Sequence, residues 1–305
     1  MKKTDKPLLV VVAGPTASGK TSLCIRLAHH FSTEIISADS RQIYKELCIG
    51  VARPTREQLS EVQHHFIGTV SIHDYYNASI FETEALHLLS RLFKTYPLVL
   101  MTGGSGLYID AICKGIDDLP SIRKEIRNEL LEEYREKGKT HLQEELRKVD
   151  PVFFSNADIH NPKRLLKALE VFRQTGRPYS SFLTGTAKNR PFRILKIALD
   201  VAREELYRRI NDRTDAMMLQ GLEEEARGLY PFRNLNALNT VGYKELFGYF
   251  DGTYDKDEAI RLIKRNTRRY ARRQLTWFRN DREYHWFSPS EPHAIIHLIE
   301  DQLNI

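Results

Sequence analysis

The sequence predicts an α/β fold, a parallel-sheet core carrying a phosphate-binding loop, with an all-helical insertion and a helical C-terminal region. Three observations predict it. An apolar run near the start ends in a glycine-rich loop and a helical repeat. The strand pattern then lapses between Pro120 and Pro191, where only charged, amphipathic helical spacing is found. It returns at Phe192–Leu199, after which helical spacing runs on to the C-terminus.

The opening run, Leu8-Leu9-Val10-Val11-Val12-Ala13, reads as a strand buried on both faces, as parallel strands are. Gly14-Pro15-Thr16-Ala17-Ser18-Gly19-Lys20-Thr21 follows and fits G-x-x-x-x-G-K-[ST]. Leu23, Leu27, Ala28 and Phe31 then recur at helical spacing. Strand, glycine-rich turn and helix together make a P-loop NTPase-like core. Backbone N–H groups of Gly14, Thr16, Ala17, Ser18 and Gly19 are expected to curl around phosphate oxygens, helped by the helix N-terminus. Lys20 adds a mobile full charge, and the Thr21 hydroxyl is placed to ligate Mg2+. The loop specifies a diphosphate or triphosphate and leaves the chemistry open.

The second strand, Glu34–Ala38, ends at Asp39-Ser40-Arg41-Gln42. Ligand groups in open α/β sheets gather at the C-terminal ends of strands, so this tetrad should face the phosphate loop. Ile49–Pro54 and a short helix from about Thr55 follow, and His64–Ile67 reads as another strand. Adjacent histidines on a strand point to opposite faces, which argues for hydrogen bonding rather than a shared metal. Asn77 caps a helix, and Pro97–Thr102 is a further buried strand running into Gly103-Gly104-Ser105-Gly106. No acid closes that strand, whereas many phosphate-loop hydrolases need one there for Mg2+. The glycines permit close approach of a ligand, or simply a strand-to-helix turn.

In the helical stretch Ile122, Ile126, Leu130 and Tyr134 mark one face, while Asn161, Pro162 and Gly176 bracket a further helix. Lys163, Arg164 and Lys167 share a face of that helix, which taken alone suits a solvated surface. We expect residues 1–118 to form the first part of the core, 119–185 the insertion, and 186–305 the core's continuation with basic C-terminal helices. After the strand at 192–199 a helix carries Arg209 and Arg213 four apart. The remainder reads as helical, ending in a segment from Arg261 to Phe278.

The whole chain bounds the function further. Its 305 residues suffice for one large core and a smaller unit. No apolar run approaches the roughly 20 residues that cross a bilayer, and Met1–Lys6 leads too quickly into the first strand for a signal peptide. Cys24, Cys48 and Cys113 form neither a disulfide framework nor a zinc pattern, so a cytoplasmic, reducing setting is expected. Net charge is +6, and Arg261–Arg273 alone holds seven Lys/Arg and no acid, so the rest is close to neutral. Within it Arg261, Lys264, Arg265, Arg268 and Arg272 line one stripe, which suits a phosphate backbone.

A small-molecule or nucleotide kinase would explain the loop but not the basic rod. A non-catalytic RNA binder would explain the rod but not the loop. A transferase moving a group from a diphosphate donor onto a nucleic acid uses both.

At this point the chain resembles the tRNA dimethylallyltransferases, nearly end to end. The resemblance is carried by Gly14–Thr21, Asp39-Ser40-Arg41-Gln42-Ile43-Tyr44, Ile49–Pro54 and Gly103-Gly104-Ser105-Gly106-Leu107-Tyr108. It continues through Arg164–Val171, Val241-Gly242-Tyr243-Lys244-Glu245 and Thr267–Gln274. The phosphate loop is generic; the ordered set is specific. The resemblance implies dimethylallyl diphosphate as donor, and as acceptor the exocyclic amine of the adenosine 3′ to the anticodon of a tRNA anticodon stem-loop. It implies Asp39 as the base, Lys20, Arg213 and Mg2+ on Thr21 around the leaving diphosphate, and a flipped adenine. It puts RNA between the core and the insertion, touching Asp39, Ser40, Arg41, Gln42, Ser105, Lys163, Arg164 and Lys167. The enzyme is expected to act as a monomer, away from membranes. Departures from the family pattern are Val51 for Thr, Arg53 for Lys, Ser105 for Thr, and Lys163 and Lys167 for Gln and Arg. Lys167 keeps charge but loses the guanidinium fork.

Overall fold

The structure is a computed structural model and describes residues 6–304; the stretch from Met1 to Asp5, on which the reading of the N-terminus partly rests, lies outside them. The chain divides into two compact units: residues up to Lys114 together with those from Asn189 onward, and Gly115–Lys188.

The first unit is built on a six-stranded sheet in the order β3-β2-β4-β1-β5-β6. Its strands are β1 (Leu8–Ala13), β2 (Ile35–Ser37), β3 (His64–His65), β4 (Leu98–Gly103), β5 (Arg193–Leu199) and β6 (Tyr284–Phe287). Every pairing is parallel. The six residues of β1 are all buried because β4 and β5 flank it and both of its faces are covered. One face carries Leu8, Val10 and Val12 and packs on Leu23, Leu27 and Ala28 of α1 (Lys20–His30). Ile295 and Ile299 of α12 (Pro292–Leu303) join the same cluster.

Strand β6 departs from the sequence reading, which took everything after the 192–199 strand as helical. Tyr284–Phe287 pairs with Lys196–Leu199 at the sheet edge. Only Tyr284 of its four residues is buried, so it shows no continuous apolar run.

The local signals at the sheet's crossovers hold in detail. Thr55 and Gln58 form a reciprocal capping box on α2 (Arg56–Glu61). Asn77 Oδ1 accepts the Ser79 and Ile80 amides at 2.9 Å each and starts α3 (Ala78–Leu92). Past β4, α4 (Gly106–Cys113) turns back along the sheet.

The second unit contains α5 (Lys124–Val149), broken at Gly138 where φ is 77°, α6 (Pro151–Asn156) and α7 (Pro162–Thr175). No strand occurs among its described residues. Ile126, Leu130, Leu142, Leu146, Leu165 and Leu169 form its core. Arg173 ties it together, donating to Glu133 at 2.6 Å and to Glu145 at 2.8 Å.

The remaining helices return to the first unit. They are α8 (Arg203–Leu219), α9 (Leu222–Leu229), α10 (Tyr243–Phe250) and α11 (Lys256–Arg279). Among the described residues no helix is long and apolar enough to cross a membrane.

Candidate active site

The C-terminal ends of β1, β2 and β4, with α8, α10 and α11, enclose a cavity of about 1480 Å3. The phosphate loop forms one wall. Gly19 takes φ 91° at the start of α1, and Ala17 takes the left-handed φ of 64°, the curl that turns successive amides toward one point. Thr16, Ala17, Ser18, Gly19, Lys20 and Thr21 line the cavity; Gly14 does not. A Cβ on Gly14 would meet Ser18 Oγ at 3.0 Å and Leu199 at 3.3 Å, so its role is close packing under the loop. Ser18 Oγ is buried against Gly14 with no hydrogen-bond partner.

Three loop donors are already engaged. The Thr16 N–H donates to Gln274 Oε1 at 2.9 Å, and the Pro15 carbonyl accepts both Lys20 Nζ at 2.6 Å and the Ser18 N–H at 3.3 Å. Burial pulls the Lys20 ammonium down to about 8; Asp39 opposes that shift and Arg213 adds to it. Arg213, on α8, lines the same cavity, and among the described residues no carboxylate pairs with it. Its side chain remains accessible, so the desolvation that lowers its pKa is that of a crowded cavity rather than of a sealed core. Two cations that repel each other across an open space, neither paired to an acid in an ion pair, form a receptor for an anion.

The charge around the cavity extends this. Lys20, Arg41, Arg53, Arg56, Arg213, Lys244, Arg269 and Arg273 line it, against two carboxylates among the described residues, Asp39 and Glu245. Glu245 is spent: one oxygen accepts the Gly242 amide at 2.8 Å and the other the Asn266 side chain at 2.7 Å. Asp39 Oδ1 accepts the amides of Arg41 at 2.8 Å and Gln42 at 3.2 Å. Its Oδ2 has no such commitment. One free carboxylate oxygen therefore stands in a cavity whose charged lining groups are, Glu245 apart, cations.

The rest of the tetrad is held by structural bonds. Ser40 N–H donates to Ser105 Oγ at 2.9 Å, and Ser105 Oγ donates to Ser40 Oγ at 3.1 Å. Ser105 is outside the cavity lining. Arg41 donates to the Asn236 and Ala237 carbonyls, and Gln42 Nε2 to those of Val51 and Ala52 at 3.2 and 2.9 Å. The 48–54 loop is clamped from its other side by Glu225 of α9. That carboxylate accepts the amides of Cys48, Ile49 and Gly50 at 2.9–3.1 Å and the Tyr243 hydroxyl at 2.6 Å.

The basic helix α11 is not a uniform free rod. Arg261 pairs with Glu258, and Lys264 reaches Asp215 on α8 at 2.6 Å. Arg268 donates to Asn211 and lies over the Tyr207 ring. Arg272 is exposed and outside the cavity; Arg269 and Arg273, which were not singled out from sequence, line it. Tyr270 lies among them, its phenol pushed up to about 12 by burial and by Asp39, so it stays a neutral donor. Lys163 and Arg164 are exposed on α7 and Lys167 is partly so, all in the second unit.

Glu225, Gln274 and Tyr270 were missed as site residues. Gln274 and Tyr270 stood inside the quoted Thr267–Gln274 motif, but Glu225 lies in an acidic first turn of α9 with no signal of its own.

His64 Nδ1 bonds the Val62 carbonyl at 2.8 Å and His65 Nε2 bonds Glu34 at 2.6 Å, which accounts for both histidines without a metal. Among the described residues the one metal-like trio is Glu133, His141 and Glu145 in the second unit, and Arg173 already occupies both of its carboxylates.

A sequence model for a family described as IPP transferase matches residues 42–281. The tRNA dimethylallyltransferase 2 of Parabacteroides distasonis is 52% identical over 295 residues, covering 97% of this chain and 99% of that protein. The chain belongs to the tRNA dimethylallyltransferase family. A second member, tRNA dimethylallyltransferase 1 of Bacteroides fragilis, is 51% identical and covers 96% of this chain and 97% of its own. The full-length tRNA isopentenylpyrophosphate transferase of Bacillus halodurans superposes with TM-score 0.71 at 34% identity, over 98% of this chain and 97% of its own. A eukaryotic dimethylallyltransferase, described as acting on tRNA, superposes with TM-score 0.74 at 25% identity, over 89% of this chain and 69% of its own. This family membership sets aside the kinase alternative.

Proposed function

We propose that the protein transfers a dimethylallyl group from dimethylallyl diphosphate to the exocyclic amine of the adenosine 3′ to a tRNA anticodon. The observation that carries this reading is the single uncommitted carboxylate oxygen, on Asp39, in a cation-lined cavity that contains the phosphate loop.

An adenine amine is a poor nucleophile, because its lone pair is delocalised into the ring. In this reading Asp39 Oδ2 accepts the amine's proton as nitrogen attacks the allylic carbon. The C–O bond to diphosphate breaks, and charge collects on the leaving oxygens. The loop amides of Ala17 and Gly19, with Lys20 and Arg213, stand where that charge would be met. Thr16 contributes through position rather than its own amide, which Gln274 holds.

The loop offers a divalent cation the Thr21 hydroxyl and no protein cage, among the described residues. That donor set fits Mg2+, which usually takes few protein ligands and completes its shell with phosphate oxygens and water. Bound there, it would neutralise charge on the diphosphate.

A buried donor requires the adenine to leave the anticodon-loop stack. Ser40, Arg41 and Gln42 at the cavity wall, Ser105 behind them, and Lys163, Arg164 and Lys167 are the proposed tRNA contacts. Arg269 and Arg273 join Arg268 and Arg272 as candidates on α11. We propose that the enzyme acts as a monomer in the cytoplasm. Mass analysis of the adenosine beside the anticodon, in cells with and without this gene, tests the proposal. Loss of the prenyl mass without the gene is expected; an unchanged nucleoside would overturn it.

A further inference from the structure

One side chain joins three parts of the first unit. Gln274 projects from α11, is buried at 6% exposure, and spends both ends of its amide. Its Oε1 accepts the Thr16 N–H at 2.9 Å, and its Nε2 donates to the Gly104 carbonyl at 2.8 Å. A Cβ at Gly104 would lie 2.1 Å from Gln274 Nε2, so any side chain there displaces that amide.

The Thr16 N–H and the Pro15 C=O belong to the same trans peptide, so they point in opposite directions. Fixing one fixes the other. Gln274 holds the N–H, and the carbonyl on the far side takes the Lys20 ammonium at 2.6 Å. The same carbonyl also takes the Ser18 N–H, but at a long 3.3 Å, so without Gln274 only that bond would keep the peptide, and with it the acceptor of the ammonium, in place.

We propose that Gln274 is a positioning residue for Lys20, fixing from the basic helix the peptide whose carbonyl stations the ammonium in the phosphate loop. The inference rests on the reading of that loop as a diphosphate site.

Two substitutions test it with inorganic diphosphate as the probe, by calorimetry on the full chain. Gln274→Met keeps length and removes both hydrogen bonds. Gly104→Ala leaves the amide chemistry but pushes the Gln274 side chain aside. Each is expected to weaken diphosphate binding about tenfold, the worth of one charge-assisted contact. In a Lys20→Ala background neither should cost anything further, because the effect runs through Lys20. Thermal unfolding checks the fold, and if Gln274→Met does not fold, Gly104→Ala carries the test. Unchanged or tighter binding by folded variants overturns the inference alone, as does an equal loss without Lys20. A wild type that does not bind diphosphate overturns both it and the donor reading.

Discussion

Replacing Glu225 by alanine should loosen the loop that forms one wall of the cavity. The carboxylate holds three successive amides, of Cys48, Ile49 and Gly50, and the Tyr243 hydroxyl. Hydrogen bonds to a charged group are worth about 1.5–3 kcal/mol each. Water can replace the carboxylate at the Cys48 amide, which is exposed, but not readily at Tyr243, whose residue is fully buried. The two part-buried amides fall between these limits. Counting the hydroxyl and part of the amides gives a loss of about 3 kcal/mol, below the rare extremes for single substitutions. For a unit of this size that is about 6–12 °C in melting temperature. Glu225→Gln keeps one acceptor oxygen and should lose about half as much. Because Val51, Ala52 and Arg53 of the loop line the cavity, KM should rise in both variants. Differential scanning calorimetry and steady-state transfer assays measure the two effects. A Glu225→Ala protein with wild-type melting temperature and wild-type KM would refute the claim that this carboxylate organises the loop.

Lys20 makes donor binding pH-dependent. Its ammonium is charged below about 8 in the free protein, so above that pH binding must recruit a proton, and affinity for inorganic diphosphate should fall by up to tenfold per pH unit. Lys20→Arg, which stays charged, should lack that component when titrated beside the wild type; the same slope in both would contradict it. Removing Arg269 and Arg273 together should flatten the salt dependence of tRNA binding by up to roughly 1.4 log units per decade, about 0.7 for each lost phosphate contact. The corresponding change for Arg268 and Arg272 should be smaller, because Arg268 is already engaged by Asn211; filter-binding across salt concentrations distinguishes the pairs. In the second unit, Arg173 holds the Glu133 carboxyl down to about 2, chiefly by hydrogen bonding. The stability this contributes is present above the ordinary glutamate range and should be lost as pH falls toward 2, visible as early acid unfolding that Glu133→Gln makes independent of that titration.

The parts of the fold that were legible share one property: a local pattern strong enough to stand without its neighbours. The apolar run of β1, the glycine turn after it and the Asn77 cap are of this kind. Strand β6 is not, because a four-residue edge strand with one buried side chain offers no periodicity to read. The glycines after β4 were legible as sites of close approach, but the approaching groups are side chains of α11. The Gln274 amide lies against Gly104 and the Trp277 ring against Gly106. The basic segment looked uncompensated because Asp215, which pairs with Lys264, is 49 residues away in sequence. Arg213 could be nominated only through the family resemblance, since one arginine on a charged helix carries no signal until the cavity around it is seen.

Asp39 is the proposed base, and single-turnover transfer by Asp39→Asn tests that role most directly. Asparagine keeps the acceptor oxygen for the Arg41 and Gln42 amides, so the tetrad should hold its shape, but it takes no proton from the adenine amine. With dimethylallyl diphosphate and tRNA both saturating, the chemical step should slow by about 10²–10⁴-fold, the usual worth of a general base. Separate titrations should find the affinities for donor and tRNA nearly unchanged. A near-normal single-turnover rate, or a defect confined to donor and Mg2+ affinity, would contradict the account.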